Sequence, residues 1–201
     1  MLSLSIIVLA GGQSTRMGQE KALLPFHGQP LIERVVQRVK TVADELVINT
    51  NQPELFGFLG IPLVPDQIGG KGPLGGLFTA LTVAHSDLVA VIACDMPFVS
   101  PALICAERDW LIAGGWDVVI PHSNEGLEPL HAVYRKAACL PAIQRVLAEN
   151  RLRMVSWLEY VRVREVHLDE VAAIDPAGTA FTNVNTLDEF KQAEQLESMQ
   201  K

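Results

Sequence analysis

Leu9-Ala10-Gly11-Gly12-Gln13-Ser14-Thr15-Arg16-Met17-Gly18-Gln19-Glu20-Lys21 sets paired glycines, an arginine and a lysine directly behind an apolar run. That combination suits a nucleoside triphosphate. Gly11 and Gly12 carry no Cβ, so the backbone can come close to a base or a phosphate. Unpaired amides in such a turn can point at phosphate oxygens. Arg16 offers a planar, bidentate cation and Lys21 a point charge. The spacing is neither the Walker loop, Gly-x-x-x-x-Gly-Lys-Ser/Thr, nor the dinucleotide fingerprint Gly-x-Gly-x-x-Gly. A basic strand-to-helix turn without a ligand is the plain alternative.

Asp95 is the strongest single residue. It follows the apolar run Val89-Ala90-Val91-Ile92-Ala93, where an unpaired carboxylate beside buried surface is costly. It therefore needs a cation or a set of donors, and Mg²⁺ is commonly held by one or two carboxylates plus substrate phosphates and water. A buried Asp capping the next segment is the competing reading. Gly69-Gly70-Lys71-Gly72-Pro73-Leu74-Gly75-Gly76-Leu77 is a second glycine-rich stretch, either a close-approach loop or a non-binding one. In Phe181-Thr182-Asn183-Val184-Asn185-Thr186, a strand would turn Asn183 and Asn185 to one side. Two amides on one face suit a polar ligand, although Asn185 can also shape the cap of the last helix.

These groups need elements to carry them. Strand patterns cover Ser5 to Ala10, Leu46 to Ile48, Ile61 to Val64 and Leu88 to Ala93, the last an apolar run typical of a central strand buried on both faces. Between them, Leu31, Ile32, Val35, Val36, Val39 and Val42, and then Leu74, Leu77, Phe78 and Leu81, repeat at helical spacing. In the second half, strands are expected at Asp117 to Ile120, Leu130 to Tyr134 and Val161 to Leu168, with helices at Lys136 to Glu149 and Thr186 to Ser198. Thr186-Leu187-Asp188-Glu189 is a capping box for the last helix. The alternation predicts an α/β fold: one Rossmann-like domain over residues 1–201, a mostly parallel sheet with helices on both faces. Open parallel sheets bind ligands outside the carboxyl ends of their strands. Gly11-Gly12, Asn49, Asp66 and Asp95 all fall at such ends, although Asn49 and Asp66 are each, alone, ordinary turn residues.

Composition narrows the function classes. The 201 residues carry a formal net charge of −7, which argues against nucleic-acid binding through a basic surface. A local cluster of Arg16, Lys21 and Lys71 is enough for a nucleotide. Cys94, Cys105 and Cys139 are an odd number without metal-ligand spacing and read as free thiols of a reducing compartment, the cytoplasm. Met1 to Ala10 lacks a basic region and stops at two glycines, so it reads as a strand and not a leader, and no run is long enough to span a membrane.

Leu-x-Gly-Gly, then Arg-Met-Gly, then Lys21, resembles the signature loop of nucleotidyltransferases that join a nucleotide to a phosphorylated acceptor. Cys94-Asp95-Met96-Pro97 resembles the metal-binding Cys-Asp-x-Pro of the molybdopterin nucleotidyltransferases, and Gly72-Pro73-Leu74-Gly75-Gly76 and Asn183-Val184-Asn185-Thr186 resemble further elements of that family. The resemblance implies transfer of GMP from GTP to molybdenum-molybdopterin, with Mg²⁺ as cofactor and pyrophosphate released. It implies Leu9, Ala10 and Gly11 at the base, Gly12 with them at the nucleotide, Lys21 on the phosphates, Asn49 and Asp66 at the nucleoside, Asp95 on the metal, and Asn183 and Asn185 on the acceptor side. Arg16, Lys21 and Asp95 would be the catalytic set. Leu-Ala-Gly-Gly resembles the guanylyl branch, where a Cβ at Gly11 would intrude on a purine. A cytidylyl- or sugar-phosphate nucleotidyltransferase, or a non-catalytic GTP-binding relative, stays open as an alternative. Other proteins of molybdenum cofactor biosynthesis are the partners such a resemblance leaves room for. Asn150-Arg151-Leu152-Arg153 departs from the family's Gly-x-Arg-Arg, which puts the acceptor-phosphate contacts in question. His131, within a strand pattern, reads as structural in preference to a base.

Overall fold

Alternating side chains along the strands sort the core into two layers. The computed structural model describes residues 2–11 and 20–199. Its first half contains β1 (Leu4–Leu9), β2 (Pro25–Phe26), β3 (Gln29–Pro30), α1 (Leu31–Val39), β4 (Glu45–Asn49), β5 (Leu63–Val64), α2 (Gly72–Val83) and β6 (Leu88–Ala93). Then come α3 (Pro101–Gly114), β7 (Val118–Ser123), β8 (Gly126–Leu127), β9 (His131–Arg135), α4 (Lys136–Ala148), β10 (Val163–Val166), α5 (Leu168–Ile174) and α6 (Leu187–Met199). Leu4, Ile6 and Val8 of β1 pack with α1, α3 and α5. Ile7 and Leu9 of the same strand pack with α2 and α4. Helices therefore cover both faces, as the alternation predicts. Each Leu, Ile or Val so buried contributes about 2 kcal/mol.

The main sheet has the order β10-β7-β9-β6-β1-β4-β5, with β8 hairpinned onto β7. β1 runs parallel to both β4 and β6, β4 to β5, and β7 to β10. β9 alone on that path is antiparallel, to β6 and β7. Its connection from β7 is too short for the dozen or more residues a parallel crossover needs.

Several sequence expectations need correction. The strand expected at Ile61 to Val64 is cut to Leu63–Val64, between Pro62 and Pro65, which have no N–H to give a ladder. The strand expected to reach Leu168 stops at Val166, and Leu168 opens α5. Helix α3 was not foreshadowed by apolar periodicity, although Ser100 caps it through Leu103 N–H at 3.2 Å and Gly115 ends it at φ 61°. Asn183 and Asn185 lie on no strand ladder.

A third, smaller cluster carries the C-terminal segment back to the sheet. Phe26, Leu31, Phe98, Val184, Phe190 and Ala193 pack together. Val184 is anchored there, and its N–H donates to Asp95 O at 3.1 Å. The capping box expected at Thr186 is present: Glu189 N–H donates to Thr186 Oγ1 (3.2 Å) and Thr186 N–H to Glu189 Oε2 (3.0 Å). Among the described residues, no helix is long and apolar enough to cross a membrane.

Candidate active site

The carboxyl ends of β1, β4, β5 and β6 open on one cavity of about 400 Å³. Leu9, Ala10, Gly11, Lys21, Asn49, Asp66 and Asp95 all line it, with Glu20, Gly72, Pro73, Gly76, Cys94, Leu130 and Asn185. Of the residues expected at the nucleotide, Gly12 and Arg16 lie outside the described residues. The strand ends are bound to one another: Ala10 N–H donates to Asn49 O (2.8 Å) and Cys94 N–H to Leu9 O (3.1 Å). A Cβ built on Gly11 meets nothing within 4 Å among the described residues, so they leave the space beside it open to a ligand. Gly76 lets α2 approach, because a Cβ there would stand 3.1 Å from Leu9 Cδ1 and 3.4 Å from Asn49 Oδ1.

Charge concentrates at one end of this cavity. Lys21 Nζ donates to Asp95 Oδ2 and to Asn185 Oδ1, each at 2.6 Å, and its side chain is 11 % exposed. Asp95 Oδ1 is buried and has no hydrogen-bond partner among the described residues. That oxygen is an acceptor with no donor among them, in a place where burial makes an unpaired acceptor costly. Burial, with Asp95 beside it, pushes the Cys94 thiol up, so it stays protonated. At the other end the groups are amides and one carboxylate. Asn49 is 1 % exposed, and its Nδ2 donates to Val64 O at 3.1 Å. Asp66 is held by a residue the sequence did not flag: Asn51 Nδ2 donates to Asp66 Oδ2 (2.8 Å), and Asp66 N–H donates to Asn51 Oδ1 (2.9 Å). Glu20 is a second unflagged lining residue, its carboxyl raised by burial.

Asn185 also lines a second cavity of about 560 Å³, together with Asn183, Ser123, Glu128 and Phe181. The two asparagines thus share the second cavity, and only Asn185 reaches the first. Asn183 Nδ2 donates to Phe181 O at 3.3 Å. In the stretch that departs from Gly-x-Arg-Arg, Asn150 takes the left-handed conformation a glycine would favour, at φ 55°, and accepts from Lys71 Nζ at 3.0 Å. Arg151 is bound to Glu149, Glu159 and Tyr160, whereas the Arg153 side chain has no partner among the described residues.

His131 is structural. Ser100 N–H donates to its Nε2 at 3.3 Å, which places the ring proton on Nδ1, facing Glu107 Oε1 at 3.3 Å. Both side chains are fully buried. Burial raises the Glu107 carboxyl from 4.5 to about 7, against the opposing pull of His131. The folded state therefore holds a proton that the unfolded state has released, and stability falls as pH rises from about 4.5 through 7. Thermal melts across that range should show the decline in the native protein and a flatter profile in Glu107→Gln. Parallel profiles would detach the pH dependence from this pair.

Comparison with known proteins places this geometry. The 4-diphosphocytidyl-2C-methyl-D-erythritol synthase of Anaerococcus prevotii superposes with a TM-score of 0.70 at 14% identity, over 100% of this chain and 97% of that one, which establishes the fold alone. The crystal structure of molybdopterin-guanine dinucleotide biosynthesis protein A from Archaeoglobus fulgidus superposes with a TM-score of 0.83 at 27% identity, covering 97% of this chain and 99% of that one. A probable molybdenum cofactor guanylyltransferase of Pelotomaculum thermopropionicum is 39% identical over 96% of this chain and 93% of its own. The molybdenum cofactor guanylyltransferase of Desulfosudis oleivorans is 37% identical over 94% and 93%. The fold and these relatives are those of nucleotidyltransferases. Residues 6–164 match the model of the MobA-like NTP transferase domain, and the chain belongs to that family.

Proposed function

We propose that the protein transfers GMP from GTP to the phosphate of molybdenum-molybdopterin, forming the guanine dinucleotide of the cofactor and releasing pyrophosphate. The observation that carries this reading is the seat of Lys21 between Asp95 and Asn185, the residue that lines both cavities. A triphosphate in the first cavity and a phosphate-bearing acceptor in the second would meet there. The near full-length likeness to guanylyltransferases supports the choice of nucleotide and acceptor.

The reaction asks for placement more than for proton transfer. A phosphomonoester has a second pKa near about 6, so the acceptor oxygen is already largely ionised at neutral pH. One of its oxygens attacks the α-phosphorus of GTP; a new P–O–P link forms and the bond to the β-phosphate oxygen breaks. Lys21 supplies fixed positive charge where negative charge gathers, and the backbone at Ala10 and Gly11 lies within reach of the nucleotide. Asn185 holds Lys21 and faces both substrates. We assign Mg²⁺ to Asp95, whose Oδ1, unpartnered among the described residues, is an oxygen ligand of the kind the ion takes. When bound, the ion would neutralise phosphate charge. Among the described residues no group of three acidic, His or Cys ligands is present, which fits an ion shared between one carboxylate, phosphates and water. Three free thiols are consistent with work in the cytoplasm.

Calorimetric titration with GTP, CTP, UTP and ATP in the presence of Mg²⁺ tests the reading. GTP should bind at least about tenfold tighter than the others, a difference of about 1.4 kcal/mol. A preference for CTP would move the protein to cytidylyl transfer.

A further inference from the structure

The position of Asp66 bears on how the base is chosen. Asp95 follows β6 and Asp66 follows β5, and the sheet order β6-β1-β4-β5 sets these strands three spacings apart, about 14 Å. With the reacting phosphate at Lys21 and Asp95, the far end of the cavity receives the nucleoside. Asp66 stands at that end, beside Asn49 and Gly76. Guanine presents two adjacent donors there, N1–H and the 2-amino group. A carboxylate accepts both at once, and each of its oxygens has two lone pairs. Adenine offers one donor next to an acceptor, and hypoxanthine lacks the amino group. Asp66 can discriminate among them only if its carboxylate plane is fixed.

We propose that Asn51 is the positioning residue that fixes Asp66 and thereby selects guanine, an inference that rests on the GTP reading above. The pairing is reciprocal. Asn51 Nδ2 donates to Asp66 Oδ2 while Asn51 Oδ1 accepts from Asp66 N–H, so one amide clamps both side chain and backbone. The flanking chain is tied down independently: Thr50 N–H donates to Val64 O at 2.8 Å, and Asn49 Nδ2 donates to the same oxygen. The end of β4 thus carries the clamp as a rigid extension of the sheet. Asn51 is itself exposed and does not line the cavity, so its effect on the nucleotide passes through Asp66.

The test compares dissociation constants of GTP and ITP, with Mg²⁺, for the full native chain, Asn51→Ala and Asn51→Asp. The aspartate variant keeps an acceptor for Asp66 N–H but replaces the donor by a second carboxylate, so it isolates the contact to Oδ2. Native protein should prefer GTP to ITP by about tenfold or more, as expected of a hydrogen bond to a charged group. Both variants should lose most of that preference while their melting temperatures stay close to native. Equal weakening of GTP and ITP would place Asp66 on the ribose and overturn the proposal, as would an unchanged ratio. Native protein that binds GTP no tighter than CTP would overturn the GTP reading itself, a separate outcome.

Discussion

Asp95→Ala should lower turnover by about a thousandfold or more while the protein keeps its fold and its melting temperature within a few degrees. The carboxylate is the cavity's partner for Lys21, and its Oδ1 has no donor among the described residues. Removing it deletes the proposed seat of Mg²⁺ and leaves Lys21 with Asn185 as its partner. What Asp95 does for the architecture runs through its main chain, which accepts from Val184 N–H and is untouched by the substitution. Turnover of GMP transfer and calorimetry of GTP with and without Mg²⁺ should change together. The native protein should gain GTP affinity from the ion and the variant should not. Near-native turnover in the variant would remove Asp95 from the mechanism.

Lys21→Ala is expected to cost about a hundred- to a thousandfold, chiefly in kcat. Lys21 is pinned by two acceptors at 2.6 Å, so its charge is in place before substrate arrives. Such preorganisation lowers the barrier without reorganisation at the moment of reaction. The variant also strands the Asp95 carboxylate without its countercharge, so some loss of stability accompanies the loss of rate. Lys21→Arg separates the two effects. It restores charge, but a planar guanidinium does not reproduce an ammonium held between Asp95 and Asn185. Stability should return in that variant and most of the rate should not. Equal kcat in all three proteins would exclude Lys21 from the chemistry.

Much of this arrangement is legible in the sequence because it depends on local rules. β6 is a continuous apolar run and β1 is one from Ile6 to Leu9, and each hands its ligand-side residue to the turn that follows. The Gly11, Asn49, Asp66 and Asp95 positions follow from where those runs stop. Helix α3 escapes for a physical reason: its buried face carries Glu107 among Leu103, Ile104 and Leu111, so the apolar stripe is interrupted by a charged residue. Its ends follow ordinary capping rules, with Ser100 accepting from Leu103 N–H and Gly115 in the left-handed conformation. Asn51 escapes because its meaning lies in a partner fifteen residues away, |i−j|=15. The strand expected for Asn183 and Asn185 fails because pattern alone cannot tell a ladder from an extended segment held by one main-chain bond at Val184.

Lys21 binds partners that lie far along the chain, at |i−j|=74 for Asp95 and |i−j|=164 for Asn185. Contacts of such long range are slow to form, because the intervening chain must be closed before they give any return. Hairpins, helices and neighbouring strands can be in place while the reactive centre is still open. Competence thus arrives late in folding: a molecule that has most of its secondary structure has none of its activity until residues near the C-terminal helix dock. Spectroscopic recovery should run ahead of nucleotide binding in a refolding experiment, and the interval between the two measures that docking step.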